Sequence, residues 1–131
     1  MTLNDVIKRF ILSEETFIEI DEGEIDPQDF TKVKQINIGT RVIIIGKNNK
    51  RRRLVDLGIL WIIANCGDLE FVRDYLDMSK SLNDVYKKYG VYTELEYIAI
   101  KDECHDKLDN DILNALLKLK FYILRIKKHG L

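Results

Sequence analysis

The sequence predicts an α+β protein in which a small N-terminal helix and a three-stranded antiparallel sheet pack on a C-terminal bundle of helical hairpins. In parts of the first fifty residues, apolar and polar side chains alternate with a period of two, as in half-buried strands. From residue 52 onward the apolar residues recur at helical spacing. The chain has 131 residues, 46% of them apolar and 33% charged, so we expect one globular domain with segments 1–50 and 51–131.

The N-terminal segment begins with a predicted helix over residues 3–13. Thr2 and Asp5 have the spacing of a capping box, in which two side chains and two backbone N–H groups bond reciprocally. The apolar residues that follow recur at helical spacing and are Leu3, Val6, Ile7, Phe10 and Ile11. This spacing is typical of an amphipathic helix that packs one face on the domain.

Three strands are predicted after this helix. Residues 16–20 and 33–38 alternate apolar and polar side chains, and residues 41–45 form a run rich in isoleucine. Gly39 and Thr40 separate the last two strands, which predicts a tight hairpin. Because so small a sheet is unstable alone, we expect it to pack on the helices.

Five helices are predicted in the C-terminal segment, over residues 52–65, 68–78, 82–89, 93–104 and 109–128. Asp109 or Asn110 is expected to cap the last of them. That helix is apolar around nearly its whole circumference, so one neighbour cannot cover it. Either the sheet covers its second face, or that face binds another protein or a second copy of the chain. A homodimer would use Leu117, Phe121 and Leu124.

Part of the helical segment resembles the ankyrin repeat. The residues that carry the resemblance are Leu60-Trp61, Ile63-Ala64, Gly67, Asp68-Leu69-Glu70 and Leu82-Asn83. Gly90, Thr93 to Glu96 and Ala99 repeat the pattern of the first helix. The resemblance covers roughly residues 54–126 and implies stacked helical hairpins. Two repeats are fewer than the three or so that such a stack needs, so we expect the N-terminal segment to cap them.

The resemblance also implies a function. Ankyrin repeats bind protein partners through their hairpin loops and first helices, so it implies a non-catalytic protein-interaction module. The residues that fall on this surface are Trp61, Lys87, Lys88, Tyr89, Tyr92 and Glu96. Tyr89 and Tyr92 would suit a binding hot spot, because aromatic side chains offer much contact area. The alternative is that one or both tyrosines close the loop against the core.

Charge is segregated along the chain, although the net charge is only −1. Residues 14–29 contain eight acidic residues and no basic one. Residues 47–53 contain five basic residues and no acidic one, namely Lys47, Lys50, Arg51, Arg52 and Arg53. This basic loop could bind a nucleic-acid backbone, which makes nucleic acid the alternative partner. It could equally be solvated, or neutralised by the acidic segment.

The sequence gives no support for catalysis, a metal or a cofactor. Phosphate-binding loops rich in glycine and the common hydrolase and zinc motifs are absent from the sequence. His105 and His129, the two histidines, lack the motif spacing of a catalytic pair with either cysteine. We therefore expect no catalytic residue, no metal ligand and no enzyme activity.

The two cysteines, Cys66 and Cys104, lie on different predicted helices, and we expect free, half-buried thiols.

Cellular location and source are also predicted from the sequence. No apolar run approaches the length of a membrane span, so we expect a cytoplasmic protein that does not enter a membrane. Eighteen isoleucines against three alanines suggest a coding sequence rich in A and T, typical of many viruses and mobile elements.

Overall fold

The α+β class is confirmed by a computed structural model that describes residues 1–14, 17–47 and 51–129. The N-terminal part contains α1 (Leu3–Leu12), β1 (Ile18–Asp21), a 3₁₀ helix (Pro27–Thr31), β2 (Arg41–Ile45) and β3 (Arg52–Asp56). The C-terminal part contains α2 (Leu57–Asn65), α3 (Leu69–Leu76), α4 (Leu82–Tyr89), α5 (Glu94–Ile100), a 3₁₀ helix (Asp102–Lys107) and α6 (Asn110–His129).

The sheet has three strands in the order β1-β2-β3, but it is mixed rather than antiparallel. β1 pairs with β2 in parallel, with Ile18 opposite Val42, whereas β2 and β3 are antiparallel, with Val42 opposite Val55. A parallel pair needs a crossover connection, because its strands cannot be joined by a tight turn. Residues 22–40, including the first 3₁₀ helix, form that crossover.

The predicted strand over residues 33–38 and its hairpin at Gly39 are wrong. The carbonyl of Val33 accepts a hydrogen bond from the indole N–H of Trp61 at 2.9 Å. Thr40 N–H donates to the Asn37 carbonyl in a turn, and Gly39 N–H donates to the Asp56 carboxylate at 2.8 Å. These backbone groups hydrogen-bond to side chains or within a turn, so they do not pair with a neighbouring strand.

The prediction that a helix begins at residue 52 is also wrong, because residues 52–56 are β3. The antiparallel connection lies between Gly46 and Arg51, where Gly46 N–H donates to the Arg51 carbonyl at 2.8 Å. Asp56 then ends the strand and caps the helix, since its Oδ1 accepts from the N–H groups of Gly58 and Ile59. A strand therefore passes into α2 without a loop.

The core is built around α2. All eight residues from Leu57 to Ala64 are buried, so this helix is covered on every side. The sheet, the first 3₁₀ helix, α3 and α5 pack around it. Phe30 and Phe71, which are fully buried, fill the space beside it. The sheet therefore covers α2 and not the last helix.

The other predicted helices agree with the structure to within a few residues. The exception is the helix predicted over residues 93–104, because α5 ends at Ile100 and a 3₁₀ helix follows. The capping box is confirmed, since the side chains of Thr2 and Asp5 each accept from the other's backbone N–H. Asp109 caps α6, with Oδ1 accepting from Ile112 N–H at 2.9 Å.

The expectation of free thiols is wrong, because Cys66 and Cys104 form a disulfide. The bond joins the C-terminal end of α2 to the second 3₁₀ helix, and the Cα atoms are 5.1 Å apart. The two cysteines are 38 residues apart, so sequence spacing alone does not bring them together. Disulfides persist mainly in oxidising compartments, so the bond does not favour the predicted cytoplasmic location, which stays a prediction.

We expect Gly58→Ala to destabilise the fold by about 1–3 kcal/mol, because there is no room for a side chain. A Cβ atom at Gly58 would lie 2.5 Å from the Asn37 carbonyl carbon and 2.6 Å from Ile38 N. Urea unfolding measures the change. Asn37→Ala is the control. It shortens an exposed side chain at the residue whose backbone contacts Gly58, so it should change stability by less than about 0.5 kcal/mol. Equal stability of Gly58→Ala and the parent protein would contradict the close packing of residue 37 on α2.

We expect a reducing agent to lower the melting temperature. The disulfide closes a loop of 38 residues, which by loop-closure entropy stabilises the fold by roughly 4 kcal/mol. Calorimetry with and without reductant measures the shift. A Cys66→Ala/Cys104→Ala variant should melt at a lower temperature that reductant does not change. A reductant effect of the same size in this variant would show that the disulfide is not its cause.

Candidate functional site

α6 is about three times as long as α5, the helix on which it packs. α6 packs against α5 and has one buried residue among those described, Leu116. At 1.5 Å per residue α5 is about 10 Å long and α6 about 30 Å. Phe121, Tyr122 and Leu124 are 68, 61 and 49% exposed. The expectation that the sheet covers this helix is therefore wrong, and its apolar surface faces solvent.

An apolar groove of about 510 Å³ lies between α6 and the start of α5. Tyr92, Thr93 and Glu96 form one wall. The α6 wall consists of Leu119, Tyr122, Ile123, Ile126 and Lys127. We call this site the α5–α6 groove.

Tyr92 is the most exposed aromatic residue of the described chain, at 85%. Its backbone is nevertheless fixed. Gly90 ends α4 with φ +68°, Val91 is buried, and Tyr92 N–H donates to Glu96 Oε2 at 2.7 Å. Thr93 then caps α5, its Oγ1 accepting from Glu96 N–H at 3.1 Å. An aromatic ring on a fixed backbone can bind a partner with little loss of backbone entropy.

Basic side chains lie around the groove. A second cavity of about 460 Å³ is lined by Lys87, Tyr92 and Lys127, among others, so it continues the α5–α6 groove past Tyr92. A third, of about 380 Å³, is lined by Tyr122, Arg125, Ile126 and His129. The surface as a whole is apolar in the middle and carries cations at its margins.

The structure brings three of the six predicted partner-binding residues to this surface. Lys87 lines the second cavity, Tyr92 lines both cavities, and Glu96 lies in the groove wall. Glu96 is only 5% exposed, and its carboxylate accepts from Tyr92 N–H, so it supports the loop. Trp61 lies elsewhere, buried in the core at 8% exposure with its indole N–H on the Val33 carbonyl.

The other two predicted residues, Lys88 and Tyr89, bind Asp74 on α3. Asp74 is 7% exposed and accepts from Lys80 Nζ at 2.5 Å, Lys88 Nζ at 2.8 Å and the Tyr89 hydroxyl at 2.7 Å. Burial by itself would raise the pKa of Asp74, but the three donors outweigh it and hold that pKa well below its usual range. The pKa of Tyr89 is raised, by burial and by the carboxylate it bonds. These contacts join α4 to α3.

The side chains of Arg52 and Arg53, in the predicted nucleic-acid-binding loop, also bond within the chain. Arg53 donates to the carbonyls of Tyr75 and Lys80, each at 2.5 Å, and its guanidinium lies 6.0 Å from the centre of the Tyr75 ring. Arg52 forms an ion pair with Glu19 of the acidic segment. The alternative that the acidic segment neutralises the basic loop therefore holds for Arg52.

The remaining residues of that loop are Lys47, Lys50 and Arg51. Lys47 and Arg51 have exposed side chains. Lys50, with Asn48 and Asn49, lies outside the described residues. Nucleic-acid binding through this loop stays a prediction, and Arg51 is the residue on which to test it.

Comparisons of this chain with models of protein families, with curated proteins and with solved structures found no match. The resemblance to ankyrin repeats therefore stays a prediction. Within residues 1–14, 17–47 and 51–129, no helix has the length and apolar character needed to cross a membrane. In the same ranges, no three His, Cys, Asp or Glu side chains are grouped to hold a metal ion.

Sequence reasoning did not identify the α6 wall of the groove as a binding site. Its residues were assigned only to a helix that one neighbour cannot cover. The spread of the apolar residues of α6 around nearly its whole circumference was the available signal, because it showed that the helix has more than one apolar face. Only the position of Tyr92 shows which face becomes a groove.

We expect acid to destabilise the parent protein more steeply than an Asp74→Asn variant. The folded-state pKa of Asp74 is lowered, so its stabilising effect is complete above the unfolded-state pKa of about 4 and is lost as the pH falls below it. Urea unfolding between about pH 4 and pH 2 measures the slope of the unfolding free energy against pH. Tyr89→Phe, which removes one donor, should give an intermediate slope. Identical slopes for all three proteins would contradict the role of Asp74.

We expect Arg53→Ala to destabilise the fold by about 1–3 kcal/mol, because the carbonyls of Tyr75 and Lys80 lose their donor. Chemical denaturation measures this change. Arg51→Ala, at a neighbouring exposed position, is the control and should change stability by less than about 0.5 kcal/mol. Similar effects of the two substitutions would indicate that Arg53 is an ordinary surface residue.

Proposed function

We propose that this protein is a non-catalytic protein-interaction module that binds its partner in the α5–α6 groove. The observation that carries the proposal is Tyr92, which is 85% exposed on a fixed backbone beside the apolar side chains of α6. Contiguous apolar surface beside a polar margin is typical of interaction sites. A rigid aromatic at its centre is typical of a binding hot spot.

The partner chemistry follows from the lining of the groove. Leu119, Ile123 and Ile126 offer an apolar floor that would accept aliphatic or aromatic anchors. Lys87 and Lys127 line the adjoining cavity together with Tyr92, which favours acidic residues next to those anchors. An amphipathic helix with an apolar face and acidic flanks fits this description, in the helix-in-groove mode.

The ankyrin resemblance supports the same surface. It implies that the loop after Leu82-Asn83 meets the partner, and Lys87 and Tyr92 belong to that region. Within this proposal, Lys88 and Tyr89 position α4 through Asp74 and do not touch the partner. The suggestion of a viral or mobile-element source rests on composition alone and does not bear on the partner's chemistry.

A pair of designed peptides tests the proposal. Each is a labelled amphipathic helix of about 18 residues with Leu and Trp at i, i+3, i+4 and i+7. One carries Glu and the other Lys at the remaining positions. We expect the Glu peptide to bind with micromolar affinity in fluorescence anisotropy and the Lys peptide to bind at least tenfold more weakly. Tyr92→Ala should weaken binding of the Glu peptide by at least tenfold, the effect of losing a hot spot.

Phe121→Ala is the matched control. Phe121 is another exposed aromatic of the same region, but it does not line the groove, so its loss should leave peptide affinity unchanged. Equal loss in both variants, or no binding of either peptide, would contradict the proposal.

A second binding experiment tests the alternative partner, with mixed-sequence DNA and RNA at low and at physiological salt. Salt-sensitive binding that Arg51→Glu abolishes would replace this proposal with nucleic-acid binding through the basic loop.

A further inference from the structure

A second apolar surface runs along α6, on the side away from the groove. Leu113, Leu117, Phe121 and Leu124 lie within an arc of about 80° at 3.6 residues per turn. Their mean direction is roughly 150° from that of the five groove residues on the same helix. Phe121 and Leu124 are 68 and 49% exposed, and Leu113 and Leu117 are half-buried. We call these four residues the α6 stripe.

The two ends of α6 carry opposite charges. Asp109 and Asp111 lie at its start, and Lys127, Lys128 and His129 at its end. Lys120, which borders the middle of the stripe, pairs with Asp102 of its own chain. α6 therefore has an acidic start and a basic end, and the cation nearest the middle of the stripe is already paired.

We propose that the α6 stripe binds the stripe of a second copy in an antiparallel helix pair. A two-fold symmetric interface places the same surface on both partners, so it must be complementary to itself. Antiparallel pairing meets this requirement, because the acidic end of each helix lies beside the basic end of the other. The helix dipoles are then also opposed, which is favourable.

The register follows from centring the pair on the stripe. With Leu117 opposite Phe121 of the second copy, Asp109 at the start of one helix lies close to Lys127 and Lys128 at the end of the other. Leu113 and Leu124 then lie near each other at both ends of the apolar contact. Parallel pairing would instead bring the lysines of the two C-terminal ends together.

Such a dimer leaves both grooves open, since the groove and the stripe lie on nearly opposite sides of α6. This inference does not depend on the proposed function, and each could fail without the other. Where both hold, a dimer presents two grooves, and a partner with two binding segments would gain affinity through effective concentration.

The expected affinity is modest. Four apolar residues per copy are well below the roughly 20–30 residues per side of a standard stable interface. We therefore expect a dissociation constant in the micromolar range. Dimerisation should be measured over a concentration series that spans this range.

Sedimentation equilibrium of the full chain tests the pairing. We expect a monomer–dimer equilibrium for the parent protein and at least tenfold weaker association for Phe121→Glu. Tyr92→Glu is the matched control, because it adds the same charge at an exposed aromatic on the groove side. It should dimerise like the parent protein. Circular dichroism verifies that each variant is folded.

Removal of charge tests the orientation. In the antiparallel pair, Lys127→Gln/Lys128→Gln should weaken the dimer at low salt, because the acidic start of the second copy loses its basic partner. In a parallel pair the same change would strengthen association, since it relieves repulsion between two basic ends. That result would overturn the proposed arrangement.

Two other outcomes would also reject the inference. One is a parent protein that stays monomeric throughout the concentration series. The other is a monomer that binds vesicles of anionic phospholipid and loses this binding in Phe121→Glu. The latter would make the stripe a membrane-surface contact, in which basic residues and exposed aromatics bind the lipid interface.

Discussion

The structure depends on the complete burial of α2. A helix with apolar residues on every side has no face that can be left in water, so other elements must cover it from all directions. The sheet, the first 3₁₀ helix, α3 and α5 do so. Gly58 and Asp56 make this possible at the start of the helix, since one admits the backbone of residue 37 and the other caps α2 directly after β3.

The sheet, the first 3₁₀ helix and α3 cover α2 rather than α6, whereas α5 packs on both helices. α6 lies at the outside of the domain, packed on the much shorter α5, and keeps two apolar surfaces in solvent. One faces Tyr92 and forms the α5–α6 groove, and the other is the α6 stripe. Both functional proposals follow from this arrangement, in which a helix of 20 residues packs on a helix of seven.

The charged residues of the domain are of two kinds, those that bond within it and those exposed at the groove. Asp74 is buried with three donors, and Arg53 bonds the carbonyls at the end of α3. Leaving such groups unpaired where they are buried would cost free energy, so they hold helices together rather than recognise a partner. The cations around the groove, Lys87 and Lys127, lie on its exposed margin, where they can select the charge of a partner.

The sequence by itself determined the α+β class, α1 and its capping box, α3, α4, α6 and the Asp109 cap, because these depend on spacing over a few residues. It also showed that the last helix has more than one apolar face. Only the tertiary structure decided that β1 pairs in parallel, that residues 52–56 join the sheet and that Cys66 meets Cys104. It alone decided that Trp61 is buried and that Lys88 and Tyr89 bond to Asp74, while Tyr92 is exposed. The physical reason is that helical spacing and caps are local properties, whereas strand partners, disulfides and exposure depend on which distant segments cover one another.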